Sequence, residues 1–556
     1  MSAIQKATRA AVPLAALFVV ACGSGSDSET NDADAPAHVT AVFPNPPPIG
    51  LPPPPIPVPS PPKITAAPQN AVVGDGGGVR FSVGAVGFGP FTYRWYKNGV
   101  ALNGSATVAS YTIPAAAPAD AATYTVRVTD TLGRASTASA VLQVVSGWAQ
   151  VSGRAAVIVP SAPLQPSLTI CGRSPQQPHV AYVGRNATTG LTELVVKAFD
   201  GAAWTQVGNA LNATPTGTPS DPSIACVVDG SGSAWPVVAW SEGLSANSAR
   251  GIHVRYWTGT AWQSAGDALN LSPGSLAIKP VLRVPPFDPV VGNVPTGGIT
   301  RRAALAWIEN GAPTLLKWNN GWQVPMPGGA QISGAAGATD IALKIDLEFQ
   351  NQYPPVVAWI QFDGGARRPY AAVHTSTNAG ASGGWTRLGD AASFDPQMPP
   401  AGVGNIAIAT GRIGLPALAI PLVLWSDGAG RVRSYFYSGG DYQQLHGLNP
   451  WVAYGSFAPV APPKAISLDG NDLGGVLCDF GDLPSFGLAV SDTTGFEVRH
   501  SVCGRATTAN WVTVRPRHNV ALDEVSLRMG SATDPLVAGT RPVSGGTELA
   551  VWKYYD

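Results

Sequence analysis

Four charged residues hold one place in a phrase that the chain repeats. Val281-Leu-Arg283, Ile341-Ala-Leu-Lys344, Ile466-Ser-Leu-Asp469 and Val525-Ser-Leu-Arg528 each close an apolar stretch on a charge, while Leu168-Thr-Ile-Cys171 and Ile406-Ala-Ile-Ala409 keep the pattern without one. In strands, one face of such a stretch packs and the other tilts toward whatever the strands surround. Arg283, Lys344, Asp469 and Arg528 then fall together, and three cations beside one anion suit an anionic ligand group such as a carboxylate or sulfate. The alternative is that they pair with one another or with water.

Other reactive patterns are thin. Gly380-Ala-Ser-Gly-Gly384 has the form of a nucleophile elbow, yet it lies in a glycine-rich turn before Trp385 with no helix to follow. The histidines, His38, His179, His253, His374, His446, His500 and His518, show no metal-binding spacing. No two carboxylates stand out as the pair that glycoside hydrolysis needs, and no phosphate-cradling glycine loop precedes a helix. The chain is therefore read as not an enzyme, with no cofactor and no metal.

The elements that would position these residues are strands. A buried-strand phrase recurs as His179-Val-Ala-Tyr182, Val237-Val-Ala-Trp240, Ala304-Leu-Ala-Trp307, Val356-Val-Ala-Trp359 and Leu422-Val-Leu-Trp425, with weaker echoes at Gly475-Val-Leu-Cys478 and Leu536-Val-Ala-Gly539. Its period of roughly 60 residues suits a four-stranded unit, and the natural closed array of such units is a β-propeller. A second phrase, Gly-x-x-Trp, marks each outermost strand at Trp204, Trp262, Trp322, Trp385 and Trp511, with Tyr442 standing in once. The chain ends on a third strand, Thr547 to Tyr555, and an isolated fourth strand, Gly147 to Gly153, stands at the other end. Joining the two gives seven blades closed by strands from both termini, with six or eight as alternatives. The recurrent tryptophans are expected in the core between sheets; a lectin would need some of them exposed on one rim.

Before the repeats, residues 63–145 carry alternating strands: Val79-Arg-Phe-Ser-Val83, Thr92-Tyr-Arg-Trp-Tyr96, Ser110-Tyr-Thr-Ile113, Tyr124-Thr-Val-Arg-Val128 and Ala140-Val-Leu-Gln-Val144. Tyr93-Arg-Trp-Tyr-Lys-Asn-Gly-Val-Ala-Leu102 resembles strand C of an immunoglobulin-like domain, and Asp120-Ala-Ala-Thr-Tyr-Thr-Val126 resembles its tyrosine corner. The resemblance implies a β-sandwich. Phe81 and Val126 stand where that family usually places its intersheet cysteines, so Trp95 must pack on an apolar pair. A spacer role is expected for this module.

Lys6 and Arg9, the apolar run Ala10 to Val20, and Val19-Val-Ala-Cys22 resemble a bacterial lipobox. The resemblance implies a signal peptide over 1–21, lipid attachment at Cys22 and, with Gly23 rather than Asp next, an outer-membrane anchor in the cell envelope. Residues 22–62 are a Ser/Asp-rich and then proline-rich tether, with Pro46-Pro-Pro48 and Pro52-Pro-Pro-Pro55, able to hold the folded part on the order of 50 Å from the membrane.

The chain has five cysteines. With Cys22 assigned to lipid, an oxidising compartment makes two disulfides the expectation for the other four. Cys478 and Cys503 are placed on neighbouring strands of the sixth blade. Cys171 and Cys226 are placed on the innermost strands of the first two blades, one residue out of register and so on opposite faces. They staple the blades if the hand of stacking brings those faces together, and point apart if it does not.

Lys and Arg number 34 and Asp and Glu 34, and only 12% of residues are charged, which argues against nucleic acid as a partner. The class is all-β: an immunoglobulin-like sandwich followed by a propeller at 147–556. The expected function is a noncatalytic binding platform for a protein or polymer partner; the alternative is a propeller that binds or processes carbohydrate.

Overall fold

The computed structural model describes residues 60–555 except 104–106, 152–156, 160–164, 172–176, 201–202, 229–233, 245–247, 285–302, 320, 326–328, 333, 345–354, 364, 376–383, 389–402, 414–417, 438–450, 471–485, 502–510 and 530–534. The signal peptide, Cys22 and most of the tether therefore lie outside the described residues. No described helix is long and apolar enough to cross a membrane.

The first folded region is a sandwich. One sheet orders Ala71–Gly74, Ala135–Val145, Ala122–Thr129, Thr92–Lys97 and Val100–Ala101; short pairs, Val79–Ser82 with Ser110–Ile113 and Lys63–Ala66 with Gly84–Val86, make up the rest. Its centre is aromatic. Trp95 is fully buried and donates Nε1 to the Val108 carbonyl at 2.9 Å; Phe81 stacks on Tyr124 with ring centroids 5.1 Å apart. Tyr124 donates its hydroxyl to the Asp120 carbonyl at 3.0 Å, the corner that the sequence resemblance implied. Phe81 and Val126 are both buried against Trp95, so packing does the work of the missing disulfide.

Only Ser146 separates the last sandwich strand, Ala135–Val145, from Gly147–Gln150, the closing strand of the next region. That region is a seven-bladed propeller. Six four-stranded antiparallel sheets begin in turn with Ser167–Cys171, Thr218–Val228, Ala277–Arg283, Ala338–Lys344, Val403–Ile413 and Ala465–Gly470. The seventh runs Glu524–Met529, Pro535–Val543, Gly546–Tyr555 and then back to Gly147–Gln150, in register from Gly147 opposite Tyr555 to Gln150 opposite Trp552. Strands from the two ends of the region thus close the ring and leave no terminal blade edge open. Val157–Val159 adds to the other end of Gly546–Tyr555, a pairing with no forewarning in the repeat.

The repeated Trp phrase lies on second strands. Trp240, Trp307, Trp359 and Trp425 are all fully buried, and each blade's face packs on the next. Ala304, Ala306 and Leu315 of blade 3, for example, meet Leu343, Val357 and Trp359 of blade 4. Among the described residues whose burial is defined, every tryptophan is buried or half-buried.

Two local readings of the repeat are corrected. The fourth strand of blade 5 is Trp451–Phe457, with Trp451 opposite Tyr437, so a tryptophan fills the place given to Tyr442, which lies outside the described residues. The second strand of blade 6 is Phe486–Asp492, not the segment around Gly475 to Cys478. Both slips have one cause, a long connection that moved the true strand away from the expected period: Tyr437 to Trp451 is longer than its counterparts in the other blades, and Gly470 to Phe486 longer than in every blade but the third.

Candidate functional site: the upper mouth of the propeller channel

The inner strands run side by side around the channel, and their channel-facing edge has no strand partner. Small residues supply the missing acceptors. Ser167 Oγ accepts from the Ile224 amide at 3.1 Å, Ser223 Oγ from Leu282 at 2.9 Å, Ser467 Oγ from Leu527 at 2.9 Å and Ser526 Oγ from Leu168 at 3.2 Å, each bond crossing to the next blade. A buried amide without a partner costs about 1–3 kcal/mol, which explains why a hydroxyl recurs at the small position of the inner phrase.

Each inner strand starts at the same end of the channel, here the upper mouth, and there the backbone is distorted. Gln165, Asp221, Lys279 and Asn405 have φ of 39°, 51°, 53° and 46°. Register shifts in the pairing of the inner strand fall beside Asp221, Lys279 and Asn405, and another beside Asp340 in blade 4. These are β-bulges whose extra residue is not glycine. Left-handed backbone at a residue bearing a side chain costs on the order of 1 kcal/mol and persists only where its surroundings require it. Gln165, just before its inner strand, and Asp221 and Lys279, within the first residues of theirs, are each followed by proline.

The bulges turn polar side chains onto the mouth, where they link neighbouring blades. Gln165 Oε1 accepts the Asp221 amide at 2.8 Å; Lys279 Nζ meets Asp340 Oδ1 at 3.0 Å; Asn405 Nδ2 donates to the Lys464 carbonyl at 3.3 Å; Lys464 Nζ meets Asp523 Oδ1 at 2.7 Å. Glu524 sits at the junction of blades 7 and 1, accepting from Thr540 Oγ1 at 3.3 Å. Burial pushes its carboxyl above the ordinary 4.5, aided by the nearby Asp221 and Asp523 charges, with bonds from Thr540 and the Gln165 amide pulling the other way.

Blade 2 departs from its neighbours behind this mouth. Arg250 is buried, donating Nη2 to Ser220 Oγ at 2.9 Å and to the Thr218 carbonyl at 2.6 Å, and Nε to Ser241 Oγ at 2.9 Å. A guanidinium only donates, so Ser220 Oγ accepts from it and passes its own hydrogen to Asp221 Oδ2 at 2.9 Å. Asp221 is thereby fixed as an acceptor at the mouth. Blades 2 and 3 are joined just behind it, where Ser241 Oγ donates to the Ala277 carbonyl at 2.6 Å.

The residues expected to line the channel lie at the opposite end. Arg283 and Lys344 end their inner strands; Asp469 and Arg528 are penultimate in theirs. Arg283 Nη1 donates to the Leu282 carbonyl at 3.0 Å and Arg528 Nε reaches the Leu168 carbonyl of blade 1 at 3.3 Å. The side chains of Lys344 and Asp469 lie outside the described residues. Cys171 and Cys226, at this same lower end, form a disulfide between blades 1 and 2, so their opposite faces do meet. Cys478 and Cys503 lie outside the described residues. Among the described residues no group of three or more His, Cys, Asp or Glu is placed to hold a metal ion.

Comparison with known proteins adds the following. The immunoglobulin domain family matches residues 61–130. No curated protein matches the chain. Similar solved structures include titin domain M4, 26% identical over 15% of this chain and 95% of that one, with a TM-score of 0.13. An α-L-arabinofuranosidase from Fusarium graminearum is 9% identical over 71% of this chain and 93% of that one, TM-score 0.34. The exotype rhamnogalacturonan lyase YesX is 11% identical over 88% and 89%, TM-score 0.32. The sandwich and propeller are defined by strand order, and no activity is carried over from these proteins. The expectation that the chain is not an enzyme is corrected: an arabinofuranosidase and a rhamnogalacturonan lyase stand among the similar structures.

Proposed function

We propose that the protein is a cell-envelope lipoprotein, anchored to the outer membrane through lipidated Cys22, whose propeller takes a carbohydrate ligand at the upper mouth of its channel. The observation that carries the ligand site is the set of side-chain-bearing bulge residues, Gln165, Asp221, Lys279 and Asn405, held in left-handed backbone around one mouth. Amide, carboxylate and ammonium groups set side by side match the donors and acceptors of a polyhydroxylated ring. The sandwich serves as a spacer that carries the propeller away from the tether.

A second reading, processing of that carbohydrate, is supported by Glu524. A carboxyl held toward its protonated form by burial beside the carboxylates of Asp221 and Asp523 has the division of roles that acid and base chemistry on a glycosidic bond uses. The test is a broad glycan array probed with the full chain, then with Asp221→Asn and Lys279→Ala. Binding that both substitutions weaken supports the mouth as the site; a blank array, or binding indifferent to both, overturns it. Incubating any bound glycan with the protein and following release of reducing ends separates binding from processing.

A further inference from the structure

The junction between sandwich and propeller holds a second place where a ligand fits. A single residue, Ser146, joins the regions, so the two walls facing each other there are held close. Between them lie two adjoining crevices of about 260 and 390 Å³ that share Val72, Val73, Val151, Phe199 and Tyr555. The larger reaches the low end of the size of small-molecule sites, about 300–1,000 Å³, and domain junctions are where such sites concentrate.

The walls differ in chemistry. On the propeller side stand two rings, Phe199 at the end of its strand and Tyr555 at the end of the closing sheet, with Lys553 Nζ 6.0 Å from the Tyr555 ring centre. On the sandwich side stand Asn70, Arg80 and Ser82. Asn70 Oδ1 accepts the Val141 amide at 2.8 Å, which fixes the side chain and leaves its amide hydrogens with no partner among the described residues. Arg80 donates Nη2 to Ser110 Oγ at 3.2 Å, and no described carboxylate pairs with it. Rings opposite fixed donors and an unneutralised guanidinium are complementary to a flat, hydroxylated, negatively charged unit.

We propose that this junction is a binding site for an acidic saccharide, its ring lying on Tyr555 and Phe199 and its carboxylate meeting Arg80. The ligand class rests on the carbohydrate reading above, but the residues are separate from the upper mouth, and so the two stand or fall apart. Rigid walls are part of the site. A saccharide held by both regions would lose its contacts if they were allowed to separate.

The experiment titrates the full chain calorimetrically with oligogalacturonate and oligoglucuronate, using neutral galactose and glucose oligomers as comparators. Arg80→Gln, Tyr555→Ala and an insertion of Gly-Ser-Gly-Ser after Ser146 are each expected to weaken acidic binding roughly tenfold or more, the size of one charge-assisted hydrogen bond or one lost wall. Arg185→Gln, at an exposed turn of blade 1 outside both places, is expected to leave it unchanged. Arg80 is exposed, so its replacement leaves the fold intact. Absence of acidic binding, or binding that survives all three changes, overturns the junction site. Loss on Asp221→Asn alone assigns the saccharide to the upper mouth and overturns the junction site only; neutral binding lost on none of the changes overturns the mouth.

Discussion

The sandwich and the propeller solve the same problem, a β-structure without a large covalent framework, in opposite ways. The sandwich concentrates its stability in one aromatic centre, where Trp95, Phe81 and Tyr124 touch and every strand but the short Val100–Ala101 contributes to the same core. The propeller spreads it over seven junctions, each core shared by two blades, so that no blade is complete alone. The difference teaches where damage should stay and where it should travel. A defect in the sandwich is local; a defect in one blade is felt around the ring, because closure depends on every junction.

The sharpest way to break that contrast is to remove one fully buried tryptophan from each region. Trp95→Ala and Trp359→Ala should each cost about 3–5 kcal/mol. Scanning calorimetry of the full chain should show Trp95→Ala lowering one transition, with the propeller's left in place, and Trp359→Ala lowering the larger propeller transition as a whole. Equal lowering of a single transition by both would mean that sandwich and propeller melt as one unit, and the contrast would be gone.

Within the ring, the Cys171–Cys226 bond is the one covalent link between blades among the described residues. Replacing both by Ser should cost about 2–4 kcal/mol, the usual range for a native disulfide. Limited proteolysis should then cut first within blades 1 and 2. Cleavage elsewhere would show that packing at that junction suffices and that the disulfide serves another end.

The third test compares blades with each other. Trp307 Nε1 donates to Glu309 Oε2 at 3.0 Å, and the same buried carboxylate accepts from the amides of Leu271 and Ser272 at 3.0 and 2.9 Å and from Ser275 Oγ at 2.8 Å. Blade 4 makes the equivalent bond from Trp359 to Gln361 at 3.1 Å. Glu309→Ala strands several donors and should cost about 1–3 kcal/mol. Glu309→Gln should cost less than half of that, because Gln361 fills the equivalent place. Equal losses in urea unfolding would show that the charge, not the acceptor geometry, holds the loop.

How much of this was legible follows from what repeats. Val-Ala-Trp and Gly-x-x-Trp recur because four of the seven blades bury a tryptophan, Trp240, Trp307, Trp359 or Trp425, at the same place on the second strand, so sheet order and closure by Gly147–Gln150 could be read directly. Tyr442 and Gly475 misled because a fixed period cannot see a lengthened connection. The upper mouth escaped for a different reason: Gln165, Asp221, Lys279 and Asn405 share a backbone conformation, not a residue type, and their carboxylates and amides meet only after the ring has closed. Arg250 is illegible in principle, since a lone arginine on a strand reads as surface until Ser220, Ser241 and Thr218 are seen to enclose it.

The smallest expected effect tests the mouth against the rest of the ring. Burial holds the Glu524 carboxyl above its ordinary 4.5, so between that value and its folded pKa the folded chain binds a proton that the unfolded chain has released. Stability from this group is therefore fully present below about pH 4.5 and falls as pH rises through the folded value. Asp267 behaves oppositely: bonds from His253, Ser264 and Arg255 outweigh its burial and hold it at about 2, so its contribution is present above 3.8 and lost as pH falls toward 2. Glu524→Gln should accordingly be neutral or stabilising by a fraction of a kcal/mol at pH 7 and lose that advantage at pH 4. A Glu524→Gln chain that is less stable than the parent at pH 7 would mean that the ionised carboxylate is an anchor of the ring, and the acid role given to it at the channel mouth would have to be surrendered.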